Sequence, residues 1–275
     1  MQRFHATICV LAALMVCLAA PVHAVTTEGV AEVSAIVPTS DVLPENLLRL
    51  YVHFSQPMRR GQVRKAITLL GENGEQIVNP FLNLAIELWD HDERRLTLLF
   101  DPGRIKRGVG PNVQVGAPLQ RNKNYTLMIS QSMKDYRGKP LARAFTKSFT
   151  ATAPIRSALL PEKWLSGLPT AKSQEPLILT FARIMDRPML YRSIRVLDAD
   201  GQVVTGSMMI LENETRWEFV PSSPWQAGPY RLAVSTDLED VAGNNVRAPF
   251  DVAEDETMRH GKSAGRVVVP FILKH

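Results

Sequence analysis

The chain has 275 residues, 45% of them hydrophobic, and a formal net charge of +5. Its only two cysteines, Cys9 and Cys17, fall within the first 17 residues. That excludes a disulfide or a thiolate metal site from everything downstream. The chain opens Met1-Gln2-Arg3-Phe4-His5, then runs apolar from Ala6 to Ala20 and reaches Pro21-Val22-His23-Ala24. One basic residue, an apolar core too short to span a bilayer, and Val22 and Ala24 at the −3 and −1 positions form a secretory signal peptide, residues 1–24, cut after Ala24. A lipoprotein signal at Cys17 is the lesser reading, because bulky Val16 stands where a small residue is needed. No later apolar run is long enough for a membrane span.

The remaining residues, 25–275, are too many for one immunoglobulin-sized sandwich and suit two domains. Residues 25–154 carry 17 Lys and Arg against 12 Asp and Glu, a net of +5; residues 155–275 carry 14 against 15, a net of −1. The first half is therefore mildly basic, which permits but does not require contact with anionic polymers or lipid headgroups.

Taken in order, the elements come twice. Ser34-Ala35-Ile36-Val37-Pro38 opens the first copy and Ser157-Ala158-Leu159-Leu160-Pro161 the second. Leu50-Tyr51-Val52-His53-Phe54, closing on Met58, returns as Leu177-Ile178-Leu179-Thr180-Phe181, closing on Met185. Alternation puts Leu50, Val52 and Phe54 on one strand face and Tyr51 on the other, with Leu177, Leu179 and Phe181 in the equivalent inward places. Ile67 to Leu70 and Ile194 to Leu197 follow, each before a turn ending in Gly, at Gly74 and Gly201. Leu96 and Leu98 answer Trp217 and Phe219. Tyr125 answers Tyr230 near the start of the penultimate strand, where a tyrosine corner would place a ring in the core and its hydroxyl on nearby backbone. Asp135-Tyr136-Arg137-Gly138 answers Asp240-Val241-Ala242-Gly243, and Phe145 answers Phe250 on the last strand. About seven short strands per copy predict an all-β protein: two tandem immunoglobulin-like antiparallel β-sandwiches, residues 25–153 with insertions and residues 154–275. Arg266 to Leu273, apolar and β-branched, reads as an extra C-terminal strand of the second sandwich, after a charged loop over residues 251–265.

Phe54-Ser55-Gln56-Pro57-Met58, the Tyr-x-Leu of each copy and the paired Asp-x-x-Gly turns resemble the bacterial Ig-like domains typified by those of S-layer proteins. With Trp89-Asp90 and Asp101-Pro102-Gly103 added, the chain is similar to secreted two-domain bacterial proteins of unassigned function. The resemblance implies an Ig-like fold and a spacer, stalk or accessory role; it implies no ligand.

Few residues point to chemistry. Gly261-Lys262-Ser263-Ala264-Gly265 matches a hydrolase nucleophile elbow but precedes a strand rather than a helix. Trp89-Asp90-His91-Asp92-Glu93 crowds three carboxylates and a histidine into one turn, which reads as a solvated hairpin tip rather than a metal or acid–base site. Asp237, Glu239 and Asp240 form the better calcium candidate. Arg104, Lys106 and Arg107 are the candidate anion-binding residues. The offset between copies falls from 127 residues at Phe54/Phe181 to 105 at Tyr125/Tyr230, so the first copy holds 22 residues the second lacks, around residues 79–89 and chiefly 101–120. Residues present in both copies suffice for a sandwich, so function is expected in that surplus. The expectation is a non-enzymatic, exported structural or binding module of the cell envelope or surface, periplasmic or secreted, needing no cofactor. Its partner would be an envelope polymer or protein, and not nucleic acid. The alternatives are a carbohydrate-binding accessory module using Tyr51 or Trp225 as exposed aromatics, and a secreted hydrolase or metal-dependent enzyme built on the first copy's insertions.

Overall fold

The structure, a computed structural model, describes residues 29–251 and 265–274. The signal peptide, Cys17 and Ser263 lie outside the described residues. Among the described residues no helix is long and apolar enough to cross a membrane.

The protein is all-β. In the first half, β1 (Val33–Val37), β3 (Arg49–Phe54), β6 (Arg95–Leu99) and β5 (Leu88–Trp89) form one antiparallel sheet in the order β1-β3-β6-β5. β4 (Ile67–Leu70), β7 (Asn124–Ile129) and β8 (Phe145–Thr152) form the second, with β2 (Val42–Pro44) added in parallel along β8. In the second half, β9 (Leu165–Gly167), β10 (Leu177–Thr180), β13 (Arg216–Pro221) and β12 (Gly206–Leu211) repeat the first sheet in the order β12-β13-β10-β9. β11 (Ile194–Leu197), β14 (Gly228–Ser235) and β15 (Arg266–Leu273) repeat the second. Each half is an Ig-like sandwich. The inward Leu50, Val52, Leu96 and Leu98 pack on Ile67, Leu69, Leu127 and Phe149 in one core. Leu177, Leu179, Trp217 and Phe219 pack on Val196, Leu232, Val269 and Phe271 in the other. Burying each such large side chain stabilises by roughly 1.5–3 kcal/mol.

Local chemistry repeats with the strands. The Tyr125 hydroxyl accepts the Gln120 amide at 2.8 Å, and the Tyr230 hydroxyl accepts the Gln226 amide at 3.0 Å, so both tyrosine corners form. Asp135 Oδ1 accepts the amides of Arg137 and Lys139; Asp240 Oδ1 accepts those of Ala242 and Asn244. Both turns bridge back to the methionine that ends the repeated stretch, Met58 to Asp135 and Met185 to Asp240.

Three expectations need correction. Residues 157–161 form no strand. The Leu159 amide bonds to the Asn245 carbonyl, and the counterpart of β1 is β9, after a 3-10 turn at Pro161–Lys163. Phe250 is also not the counterpart of Phe145. β15 pairs with β14 as β8 pairs with β7, which sets Phe271 opposite Tyr230 and Phe149 opposite Tyr125. The two rings stack in each pair, with centroids 5.6 and 5.7 Å apart. So β15 is not an extra C-terminal strand. It is the last strand of the repeat, displaced by 17 further residues inserted between Tyr230 and its partner, since 41 residues separate Tyr230 from Phe271 and 24 separate Tyr125 from Phe149. The third correction concerns the outer face of β3. Tyr51 points away from the first core yet is only 6% exposed, because the second half covers it.

That cover is a dense joint. Tyr51 Oη donates to Asp186 Oδ2 at 2.6 Å, and Arg49 pairs with both Asp186 and Glu239. Asp186 also caps helix α4 (Arg187–Ser193) by accepting the Met189 amide. The Thr39 amide and hydroxyl donate to the buried Glu214 carboxylate. Val241 enters the first core, and the Leu48 amide bonds to its carbonyl at 2.8 Å. Gly243 belongs to this contact. Its φ is +80°, and a Cβ there would come within 2.6 Å of Leu48 Cδ2, so both conformation and space require glycine.

Candidate functional site

A sandwich closes when the edge strands of its two sheets approach each other. In the second half the edge strand β12 runs six residues along β13, from Gly206 opposite Pro221 to Leu211 opposite Arg216. In the first half the corresponding edge is broken. β5 pairs with β6 only at Leu88–Thr97 and Trp89–Leu96. The chain rejoins β6 at a bridge between Phe81 and Phe100, where the Leu82 amide bonds to the Leu99 carbonyl at 2.7 Å. Residues 83–87 leave the ladder between these two points. They roof a cavity of about 690 Å³ that reaches inward to Leu69, Leu96 and Leu98. This volume lies within the range of small-molecule sites, roughly 300–1,000 Å³.

Glu87 fixes one end of the roof. Its carboxylate accepts the amides of Gly61 and Val63, at the start of helix α1 (Val63–Ala66), and the Trp89 indole N–H at 2.8 Å. The only carboxylate in the lining is therefore occupied. Arg64 and Lys65 of α1 also line the cavity, and both are exposed. Leu84 and Ile86 form an apolar rim, Ile86 being 70% exposed. The site thus combines apolar side chains with the polar Thr68, Gln76, Asn79 and Asn83 and two exposed cations. Among the described residues, no paired acid and base and no nucleophile beside a base stand in its walls.

The residues expected to bind lie elsewhere. Arg104 is buried in the short helix α2 (Pro102–Ile105), which Asp101 caps through the Gly103 amide. Its guanidinium donates to the carbonyls of Gly116, Val78 and Asn79 at 2.8–2.9 Å. It ties the inserted loops together. Burial pushes its pKa down, Asp101 opposing. Lys106 lies 4.9 Å from the Phe250 ring centroid, and Arg107 pairs with Asp251 at 2.8 Å. Arg104 is buried, so it shares no exposed anion-binding surface with the other two cations; of residues 101–120, Ile105 and Leu119 pack into the core while most of residues 107–115 are exposed. Val113 and Val115, on helix α3 (Gly110–Val115), are exposed.

Of the calcium candidates, Asp237 pairs with Arg247, Glu239 with Arg49, and Asp240 with Arg183 and the Asn244 side chain. Each carboxylate faces a cation, and among the described residues no group of three His, Cys, Asp or Glu side chains is placed to hold a metal. Asp90 accepts the amides of Arg94 and Arg95 as a hairpin turn, while His91 and Asp92 are exposed and line no part of the cavity. The two aromatics expected at the surface are both buried. Trp225 is 1% exposed and its indole N–H donates to the Glu175 carbonyl; Tyr51 lies in the joint. Neither can stack on a sugar ring. Nothing local announces the cavity: Leu82, Leu84, Ile86 and Leu88 alternate with Asn83, Ala85 and Glu87 as a strand would, yet only Leu88 and Trp89 pair with β6 as a strand.

No family model matches the chain, and no curated protein matches it. Among solved structures it is similar to domains 1–6 of surface layer protein SbsC, with 14% identity over 74% of this chain and a TM-score of 0.31. It spans 23% of that chain. It is also similar to Escherichia coli alpha-2-macroglobulin spanning domains MG0-NIE-MG1, with 12% identity over 89% of this chain and 71% of that one, and a TM-score of 0.30. A third likeness is to titin domains z1z2, with 9% identity over 90% of this chain and 98% of that one, and a TM-score of 0.23.

Proposed function

We propose that the chain is an exported, non-enzymatic binding module of the cell envelope, in which two joined Ig-like sandwiches present a ligand cavity on the first. The observation that carries this reading is the difference between the twins. The same strand order closes its edge in the second half and leaves it open over about 690 Å³ in the first. A duplicated fold is its own control, so an edge strand broken in one copy and continuous in the other needs an explanation beyond folding. Export rests on the leader pattern of residues 1–24. The joint supports the reading of a single module, because its contacts bury charges and apolar side chains from both halves.

The test is to express the full chain with a C-terminal tag in a bacterial host, fractionate the cells and sequence the N-terminus of the product. The expected result is a product beginning at Val25 and recovered with the periplasm or envelope. An intact chain retained in the cytoplasm would remove the reading of an exported module.

A further inference from the structure

We propose that the cavity of the first sandwich holds the hydrocarbon tail of a single-chain amphiphile, with its anionic head against Arg64 and Lys65. This deepens the binding-module reading above and rests on it for its setting. Three features lead to this ligand class. The accessible apolar wall is built by the half-buried Ile77, Phe81, Leu82 and Leu99 over the buried Leu69, Leu96 and Leu98, and such a surface gains by excluding water with an apolar group. The roof adds Leu84 and Ile86, whose exposure at the rim leaves apolar surface that a tail entering the cavity would cover. The mouth carries two cations from one turn of α1, and neither makes an ion pair among the described residues. The one lining carboxylate, Glu87, is held by two amides and an indole and does not neutralise them. A mixed lining, with apolar side chains beside Thr68, Gln76 and Asn83 and two exposed cations, complements a molecule that carries both a chain and an anionic head.

The size argues for one chain. A cavity of about 690 Å³ holds a small molecule and not a folded partner. A β-strand added to the broken edge is the competing occupant, but it would need a continuous run of free ladder positions on β6. The positions at Leu96, Thr97, Leu99 and Phe100 are already taken by Trp89, Leu88, Leu82 and Phe81 respectively.

A free fatty acid and a lysophospholipid share this chemistry, and the experiment separates them. Purified chain is titrated with the fluorescent fatty acid 11-(dansylamino)undecanoic acid. The bound probe is then displaced with palmitate, with palmitoyl lysophosphatidylglycerol or with neutral hexadecanol, all below their micellar concentrations. The expected result is saturable uptake at one site, displacement by at least one anionic competitor, and displacement about tenfold weaker by hexadecanol. Palmitate alone displacing assigns a carboxylate head; the lysophospholipid alone assigns a phosphate head. Two variants locate the site. Arg64→Glu with Lys65→Glu, both exposed, is expected to weaken the probe about tenfold or more. Ala85→Trp, in the exposed roof, is expected to abolish uptake by filling the cavity. The proposal is overturned by no saturable uptake, by hexadecanol competing as well as the anions, or by uptake unchanged in Ala85→Trp. Failure here leaves export untouched, since the leader is read from fractionation alone; cytoplasmic retention would likewise leave a measured fatty-acid site standing.

Discussion

Tyr51 shows how one residue takes its energetic role from a neighbour that is distant in sequence. Alternation along β3 assigns it correctly to the face opposite Phe54, and on an isolated sandwich it would be a solvated ring. Here its hydroxyl donates to Asp186, 135 positions away, in a buried setting. Burial first, then the adjacent Asp186 charge, push its pKa above the ordinary phenol value, so it remains a donor at every physiological pH. Phe54→Ala and Phe181→Ala are expected to cost about 3–5 kcal/mol each as buried aromatic truncations. Tyr51→Phe, which removes only a hydrogen bond to a carboxylate, is expected to cost about 1.5–3 kcal/mol. Urea titration of the three variants checks this; a Tyr51→Phe midpoint equal to that of the parent would mean that the joint opens in solution. Glu239 gives the pH signature of the same place. Burial raises its carboxyl above the ordinary range, Asp186 and Asp240 add to the effect, and Arg49 opposes it. A raised native pKa means that the folded chain binds more protons than the unfolded chain between the unfolded and the raised values. Glu239 therefore contributes stability that is full below its unfolded pKa and lost as pH rises through the folded one. Glu239→Gln is expected to flatten the fall in urea midpoint just above the ordinary carboxyl range. A parent midpoint that rises there with the same slope as the variant would refute this assignment.

At the scale of elements, the sequence shows most of what each sandwich needs from itself. Leu50, Val52 and Phe54 announce their face by alternation, Gly74 and Gly201 announce their turns, and Tyr125 and Tyr230 announce their corners, because each signal depends on residues a few positions apart. The legible part stops where position depends on something remote. Residues 157–161 look like residues 34–38, yet the later segment is drawn to the Asn245 carbonyl beside the joint, and the strand moves on to Leu165–Gly167. β15 reads as an addition because a long, partly charged stretch separates it in sequence from β14, the strand it completes. Arg104 reads as a surface cation in a Gly- and Pro-rich loop, since nothing local reveals the three carbonyls that surround it. Two of these corrections lead to measurements. Arg104→Ala removes the donor from those buried carbonyls and is expected to destabilise the first sandwich by roughly 1–3 kcal/mol, with Arg104→Lys rescuing only part because its point charge lacks the planar fork. If Arg104→Ala were neutral in thermal denaturation, the residue would be free for a ligand, as its charge first suggested. Ending the chain at residue 265 tests β15. As an extra strand its loss would be tolerated; as the partner of β14 it takes Val269, Phe271 and Leu273 out of the core and leaves eight paired positions open. The expected outcome is loss of the near-ultraviolet circular dichroism of the buried Trp217 and Trp225, with the first sandwich retained.

At the scale of the molecule, the joint decides whether this is two beads or one body. We propose that residues 25–153 and 154–275 are separate folding units, since each has its own sheets and its own tyrosine corner, and that they are nevertheless thermodynamically coupled. The coupling comes from what each half supplies to the other. Val241 fills part of the first core, and Ile184 and Phe250 pack against it, so the first half alone leaves an apolar face open. Asp186 and Glu239 come from the second half and find their guanidinium on Arg49 of the first; separated, each would be hydrated instead. The connecting segment is itself held, because Asn46 bonds to both the amide and the carbonyl of Ile155 and Asn244 donates to the same carbonyl. A proteolytic cut at residues 152–156 is therefore expected to be slow, although the segment joins two domains, because cleavage requires the bonded backbone to open first. The decisive measurement is to produce the halves separately and mix them. Each is expected to fold, the first with a lower urea midpoint than in the whole chain, and mixing is expected to restore much of that midpoint as the halves reassociate. Asp186→Ala in the second half removes the shared partner of Tyr51, Arg49 and the α4 amide, and is expected to abolish that restoration while the half itself still folds. If the isolated first half matched the whole chain in stability, the contacts at Val241 and Asp186 would be incidental and the two sandwiches would move independently.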